Sequence, residues 1–313
     1  MIVFNTLTKQ KEEFKPADSK KVKMFVCGPT VYDYIHMGNA RTYTIFDMVA
    51  KYLKYRGYEV EYIQNITDID DKIITRALEL GRDPLDYAKD YTDTFLEDVK
   101  KIGINSVSHY EPATKNIDQV VKQIKTLIKK NNAYKIEGDG WYFDLKTFPE
   151  YGKLSGRTIE MAEDGVSRID DGPNKRNRGD FSLWKFSKPE EPGWDSELGY
   201  GRPGWHIEDT AITEKYFGPQ YDLHGAAADL IFPHHEAEIA QQESASGLKP
   251  FVRYWMHAGF LVNKTQKMSK SLGNFMILRE ALNKYSPEVL RFYFLSSHYR
   301  SPLDYNEDLL KQA

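Results

Sequence analysis

Residues 22–67 read VKMFVCGPTVYDYIHMGNARTYTIFDMVAKYLKYRGYEVEYIQNIT. The run VKMFVCG is apolar, short and closed by Gly28-Pro29, the pattern of a strand buried on both faces. In NARTYTIFDMVAKYLKYRGY, Ile45, Met48, Val49, Tyr52 and Leu53 recur at helical spacing, and Gly57 predicts the stop. EVEYIQNIT reads as a second strand. Strand, loop, helix and strand form a right-handed βαβ unit. The expected fold class is therefore α/β, with a doubly wound parallel sheet whose ligands sit at the carboxyl ends of the strands. His36-Met37-Gly38-Asn39 falls at that end, where the first strand passes into its helix. Free N–H groups at a helix start favour phosphate, and Gly38 permits close approach of a nucleotide. Taken alone, the same run also suits a plain cap by His36.

Outward from this unit the pattern changes near residue 113. A helix, the hairpin-like GDGWYFDL and the polar stretches DDGPNKRNRGD and KPEEPGWDSELGYGRPGW read as an insertion. Strand-like segments return at YDLHG and VRYWMHAGFLV, and the last fifty residues read as mainly helical. The expected division is a first half of the core at 1–112, a connective insertion at 113–194, a second half at 195–262 and a helical region at 263–313. The sequence contains no internal repeat and no low-complexity segment.

At 313 residues with 41% hydrophobic content, the chain has material for one large or two medium domains. It has no apolar run of about eighteen residues, and its first residues turn polar too soon for a signal peptide, so the cytoplasm is the expected location and a membrane is not. Cys27 is the single cysteine, which excludes an internal disulfide and a tetracysteine zinc ribbon. The net charge of -3 does not point to nucleic acid. Such binding would rest on local clusters: KKVK near residue 20, KQIKTLIKK at 122–130 and NKRNRGD at 174–180.

Two further stretches carry chemistry. FPHHEAEIAQ, residues 232–241, sets His234 and Glu238 one turn apart on a helix expected to open near Pro233. Alone, it is most simply a solvated polar helix with ordinary start signals. KMSKS, Lys267 to Ser271, offers two lysines that can neutralise a triphosphate as pyrophosphate leaves, without a covalent step.

HMGN early and KMSKS late resemble the HIGH and KMSKS signatures of class I aminoacyl-tRNA synthetases. Within that class FNTLTKQKEEF, FVCGPTVYDYIHMGNART, NITDIDDKI, GRPGWHIE, FPHHEAEIAQ and KMSKSLGNF, in this order, are similar to the cysteinyl-tRNA synthetase family. The resemblance implies a Rossmann-type, HUP-like core with a connective insertion and the start of a helical stem-contact region. It implies ATP-dependent activation of L-cysteine to cysteinyl-adenylate, with Mg2+, and transfer to the terminal ribose of tRNA(Cys) by a monomer. Carried over residue by residue, it assigns one zinc ion to Cys27, Asp209, His234 and Glu238. Catalysis falls to His36, Asn39, Lys267 and Lys270. ATP would be bound by His36, Gly38, Asn39, Gly225, Asp229, Lys267, Ser269 and Lys270. The substrate site would comprise Cys27, Gly28, Thr67, Trp205 and His235, with His206 close to the metal. His257 also suits an ordinary core histidine.

The sequence departs from the family pattern in four places. Asp209 stands where many members have cysteine; a carboxylate is a harder ligand than a thiolate, so weaker zinc binding is expected rather than none. HGAAADL, residues 224–230, replaces a glycine-rich run, and each alanine adds a methyl group where ribose would lie. Asn39 replaces the last histidine of the first signature, although an amide still donates. Finally, family members continue into a helical bundle and an anticodon-binding part, whereas this sequence stops at Ala313, so cysteine activation is expected to outlast efficient tRNA charging. Two rivals are a cysteine ligase that passes the same adenylate to a small amine, and a zinc-containing binding paralogue that has lost ATP.

Overall fold

The computed structural model describes residues 1–157, 174–263, 266–267 and 276–312. An antiparallel hairpin, β1 (Ile2–Asn5) and β2 (Gln10–Glu13), leads into β3 (Lys21–Val26), α1 (Met37–Tyr55) and β4 (Glu59–Ile66). Then come α2 (Asp71–Glu79), α3 (Pro84–Lys101), β5 (His109–Pro112) and α4 (Ile117–Lys129). Strands β6 (Ala133–Ile136), β7 (Gly140–Phe143), β8 (Phe181–Phe186) and β9 (Gly201–Pro203) follow. The chain continues through α5 (Ile207–Phe217), β10 (Tyr221–Ala227), α6 (Glu236–Ser246) and β11 (Val252–Ala258). It ends with β12 (Leu261–Asn263), β13 (Gln266–Lys267), α7 (Leu278–Lys284), α8 (Pro287–Leu295), β14 (Leu303–Asp304) and α9 (Glu307–Gln312).

The central sheet has the order β11-β10-β3-β4-β5, and every pairing in it is parallel. The first part of the chain adds strands to one side of β3 and the later part adds them to the other. The order therefore reverses between β3 and β10, which leaves a crevice beyond their carboxyl ends. Burial on both faces explains the near-continuous apolar character of β3. One hydrophobic core, including Phe46, Leu53, Phe95 and Leu290, covers one face. A second, including Ile124, Trp184, Ile212 and Trp255, covers the other.

Strands β6 to β9 form a separate antiparallel sheet in sequence order, and its last strand is supplied by Gly201–Pro203. Among the described residues no helix is long and apolar enough to cross a membrane.

The helix read from residues 39–57 forms, but its apolar positions divide. Ile45, Val49 and Leu53 are buried, whereas Met48 and Tyr52 are 41% and 38% exposed. The buried face instead takes in Arg41 and Asp47. Asp47 Oδ1 accepts from the backbone N–H groups of Asn105 and Ser106 at 3.1 Å each. Its Oδ2 accepts from Lys51 Nζ at 2.8 Å and Arg291 Nη2 at 2.6 Å, which ties α1 to α8.

Burial alone would raise the Asp47 pKa, but the hydrogen bonds from Lys51 and Arg291 hold it below the usual carboxylate range. A carboxyl whose folded pKa is depressed adds stability that is fully present above its unfolded value near ~4 and is lost as pH falls through the folded value. Asp47→Asn should therefore cost about 3 kcal/mol at neutral pH, the scale for breaking a buried pair. The difference should already be smaller at pH ~3, below the unfolded value, and should go on shrinking as pH drops through the depressed folded value. Urea melts at the two pH values check this, and a pH-independent difference would refute the electrostatic account.

Candidate functional site

The crevice at the β3/β10 switch opens into a cavity of about 270 Å3. A larger recess of about 700 Å3, lined by Lys21, Lys23 and Asp222 among others, lies at the starts of β3 and β10, the opposite end from where ligands of doubly wound sheets bind.

Cys27 directly follows β3, and its N–H donates to Gly225 O at 3.1 Å, extending the β3/β10 pairing by one rung. Gly28 donates to Asn65 Oδ1 at 2.5 Å, and a Cβ at Gly28 would lie 1.7 Å from the backbone oxygen of Asn65. Only glycine fits there. Beyond it, Val31 N donates to Thr67 O at 3.1 Å, so the ends of β3 and β4 stay paired as they enter the cavity wall.

At the start of α1, His36 Nδ1 accepts from the Asn39 N–H at 3.2 Å, and Asn39 Oδ1 accepts from the His36 N–H at 3.3 Å. This reciprocal cap uses Asn39 in place of the common Glu or Gln. His36 and Asn39 both line the cavity. Gly38 does not line it; its missing side chain leaves room for the His36 ring, 2.8 Å from where a Cβ would stand.

FPHHEAEIAQ does not form the solvated helix that its polarity suggests. A wide turn over Ile231–His235, in which Phe232 is extended, precedes α6, and every residue from Glu236 to Glu243 is buried. His234 Nε2 lies 3.0 Å from Asp209 Oδ2 and 3.0 Å from Glu238 Oε1. Asp209 comes from the first turn of α5, where the helix dipole favours an acid. Ligand atoms of Cys27, Asp209, His234 and Glu238 all lie within 4.8 Å of one another, and all four residues are buried. An overlapping group of Cys27, His224, His235 and Glu238 meets the same limit.

Burial pushes the Cys27 thiol well up, reinforced by Asp209 and Glu238. Burial likewise raises Glu238 to about 8. Burial alone would lower His234, but the carboxylates of Glu238 and Asp209 outweigh it and bring that imidazole to about 10. A proton on His234 is thus the positive charge that these acids hold in the absence of a metal. Asp209 Oδ1 makes no hydrogen bond to a described residue, and the Glu238 oxygens meet only imidazole nitrogens, His234 Nε2 at 3.0 Å and His224 Nδ1 at 3.5 Å, an arrangement that a cation among these acids would relieve. The cluster fits a metal site. His206 Nδ1 lies 2.8 Å from His234 Nδ1, which leaves His234 Nε2 to face the acids. The Trp205 ring stacks on His234 with centroids 4.5 Å apart and so restricts that imidazole further.

Beneath the cluster runs a chain of imidazoles. Cys27 Sγ lies 3.1 Å from His224 Nε2 and 3.2 Å from His235 Nε2; His235 Nδ1 lies 2.9 Å from His257 Nε2, and His257 Nδ1 lies 2.8 Å from Thr6 Oγ1. Burial lowers His224 and His235 well below the ordinary histidine value and takes His257 to about 3. These rings are neutral at physiological pH.

A second cavity of about 370 Å3 adjoins the first, and both are lined by Thr30, Lys72 and Trp205. Arg202 and Lys185, each paired with Asp71 at the start of α2, form part of its wall.

The family model for the catalytic domain of class I (C) tRNA synthetases matches residues 13–313. The chain belongs to this family. Among relatives of this class I (C) domain, the protein named "Cysteine--tRNA ligase" from Pyrococcus furiosus is 54% identical over 310 residues, covering 99% of this chain and 64% of the relative. Its namesake from Carboxydothermus hydrogenoformans is 50% identical over 313 residues, covering 100% of this chain and 67% of the relative. The chain thus spans about two thirds of the length of these relatives. A solved Mycobacterium tuberculosis methionyl-tRNA synthetase in complex with methionyl-adenylate superimposes with a TM-score of 0.73 at 15% identity, covering 94% of this chain and 68% of that one. That likeness confirms the Rossmann-type fold class of the class I (C) domain.

Measured against the sequence reading, Cys27, Gly28, His36, Asn39, Thr67, Trp205, Asp209, Asp229 and His234 line one cavity, with Glu238 buried behind His234. Besides Gly38, two residues do not line the cavity. Gly225 lies inside β10, where a Cβ would stand 2.4 Å from the Phe46 ring, so its role in the fold is packing. His235 is wholly buried and faces Cys27 and His257, away from the cavity. Of the three alanines in HGAAADL only Ala227 lines the cavity, while Ala226 is buried in the core behind it. Ser269 and Lys270 lie outside the described residues; the Lys267 backbone pairs with Val262 in the β12/β13 ladder.

The sequence reading missed His224, which touches Cys27, and Glu208, which accepts from Thr67 Oγ1 and whose pKa burial raises well above the usual carboxylate range. His224 opens HGAAADL, but nothing in the spacing of that run points to Cys27.

Proposed function

We propose that this class I (C) domain activates L-cysteine with ATP to cysteinyl-adenylate and transfers the cysteinyl group to the terminal ribose of tRNA(Cys), in the cytoplasm and as a monomer. The observation that carries this reading is the buried tetrad of Cys27, Asp209, His234 and Glu238, placed at the β3/β10 switch beside the capped start of α1. Cys27, Asp209, His234 and Glu238 would hold zinc, which supplies a soft Lewis acid able to take a thiol and not a serine hydroxyl as its further ligand. His206 fixes the tautomer of His234, and Trp205 holds its ring plane. Thr67 lies across the same cavity with its hydroxyl donating to Glu208 and accepting from Asn65 Nδ2 at 3.4 Å, which leaves one lone pair for the substrate ammonium.

His36 and Asn39, with Gly38 between them at the start of α1, would receive the phosphates of ATP with Mg2+. Lys267 and Lys270 would offset charge at the departing pyrophosphate. Asp229 lines the same cavity and would accept from a ribose hydroxyl. The acceptor end of the tRNA would enter through the adjoining cavity, where Arg202 Nε and Ser182 Oγ are buried with no hydrogen-bond partner among the described residues, and would meet the adenylate at Trp205. The domain division at 112, 194 and 262 belongs to this same reading.

Cysteine-dependent exchange of pyrophosphate with ATP is the direct test, run alongside serine and alanine. Exchange with cysteine at least a hundredfold above serine is expected, since an obligatory polar or metal contact discriminates by about 10⁴ or more. Equal exchange with serine would refute the metal as selector. Transfer of cysteine to a small amine and not to tRNA(Cys) would replace the acceptor.

A further inference from the structure

Arg41 lies one turn beyond the His36 cap and is wholly buried, yet no ion pair includes it among the described residues. Its Nη1 donates to Gly259 O at 2.7 Å and Phe260 O at 2.9 Å. Its Nη2 donates to Ser301 O at 2.8 Å and Ser297 Oγ at 3.2 Å. A buried guanidinium with only neutral acceptors is expensive, and burial brings its pKa down to about 10. An apolar side chain would fill the same space at less cost. What the planar fork adds is fixed geometry among three segments: α1, the turn between β11 and β12, and the turn that follows α8.

Those partners have a common position in the chain. Gly259 and Phe260 immediately precede β12, where the segment carrying Lys267, Ser269 and Lys270 begins. The same segment returns at Met276, whose carbonyl accepts from the Met37 N–H at 2.9 Å, and at Leu278, whose N–H donates to Ile35 O at 2.9 Å. His36 and Ile277 form the bridge between these two bonds. The entry is held further by Gly259 N donating to Tyr299 O at 2.8 Å and Leu303 N donating to Phe260 O at 2.9 Å. At Gly259 a Cβ would stand 2.5 Å from Ser301 O, so the two turns are pressed together. Residues 35–41 thus grip both ends of the segment that contains the second signature, the exit through backbone bonds and the entry through one side chain.

We infer that Arg41 is a positioning residue, which holds residues 259–262, the turn and strand that lead toward the second signature, in fixed register with the helix start that carries His36 and Asn39. The inference rests on the reading of the chain as an ATP-using ligase. The two signatures act on one triphosphate from separate parts of the chain, and a shift of about 1 Å between them costs up to about a hundredfold in rate. The hydrogen bonds of Arg41 go to Gly259, Phe260, Ser297 and Ser301 and to none of Cys27, Asp209, His234 and Glu238, so cysteine recognition should not depend on that register.

Arg41→Gln should lower kcat for cysteine-dependent pyrophosphate exchange by about tenfold or more, with KM for cysteine within about twofold of wild type and metal content unchanged. Arg41→Lys, with three donors from one point, should fall between the two. Amide exchange supplies a readout independent of activity: Gly259, Leu303 and Tyr305 should lose protection in Arg41→Gln, while β3 and β10 keep theirs. Ser297→Ala removes one acceptor only and covers the case in which Arg41→Gln fails to fold; a decrease of about threefold in kcat is expected. Unchanged kcat, loss of protection across the whole sheet, or parallel losses in kcat, cysteine affinity and metal would each overturn the role. A wild-type chain without exchange would sink the ligase reading and this role with it, whereas exchange in wild type with no change in the variants sinks this role alone.

Discussion

His234→Ala should leave the purified protein with about a tenth or less of the metal that wild type retains, because structural and catalytic sites of this size lose affinity steeply when one of four ligands goes. Three of the four donors are acids or a thiol: Cys27, Asp209 and Glu238. Only His234 among them is neutral when it coordinates and cationic when it does not. Its removal leaves Glu238 and Asp209 facing each other in a buried space with no positive partner of either kind, since both lie within 3.0 Å of the lost Nε2. Leaving buried charges uncompensated costs about 3–5 kcal/mol, so the urea midpoint should fall along with the metal.

Asp209→Asn tests the residue that departs from the family pattern. It keeps the size and removes the charge, and it should weaken metal binding by about 10- to 100-fold without abolishing the fold. Asp209→Cys supplies a softer ligand and should tighten it. Elemental analysis after dialysis against a weak chelator, paired with urea melts, reads both quantities. Full metal content in His234→Ala would refute the tetrad, and full content in Asp209→Asn would remove Asp209 from it.

The same cluster marks where local sequence reading ends. The βαβ unit is legible because each of its elements buries a face in a regular period: two buried faces for β3 and β4, one stripe for α1. α6 has no such period. Its polar residues are buried because distant groups satisfy them: Gln241 donates to Thr210 Oγ1 at 2.8 Å, Glu236 accepts from the Gly152 and Ser155 N–H groups, and Glu243 pairs with Lys153 at 2.6 Å. Those partners come from α5 and from the segment after β7, tens of residues away, so composition alone reads the stretch as solvated. The resemblance to a family brought out Cys27, Asp209, His234 and Glu238 where periodicity could not. It also brought Gly225 and His235 forward; in the fold Phe46 occupies the space that Gly225 leaves, and Cys27 and His257 engage both nitrogens of His235. Nothing local in the sequence shows that four oxygens from residues 259–301 surround Arg41.

His36→Asn should lower kcat for cysteine activation by about a hundredfold, the scale seen when one donor to a developing charge is removed, and should cost less than ~1 kcal/mol of stability. The two numbers separate because His36 has two tasks. Its Nδ1 caps α1 by accepting from Asn39 N, a task that an asparagine side chain performs equally well. From its position on the cavity wall the imidazole would, on the proposed reading, reach the phosphates, which the shorter amide would not. His36→Ala should lose both, with a further ~1 kcal/mol from the vacant cap. Asn39 divides in the same way: its oxygen holds the His36 N–H, and its NH2 group makes no bond to a described residue. Asn39→Asp retains the oxygen and sets a negative charge where an anion must bind, so KM for ATP should rise by about tenfold while the melting temperature stays near wild type. Steady-state exchange at varied ATP, with thermal melts of the same samples, gives each term separately. If His36→Asn keeps full activity, His36 is only a cap, and phosphate recognition must come from the α1 backbone and Lys267 and Lys270 alone.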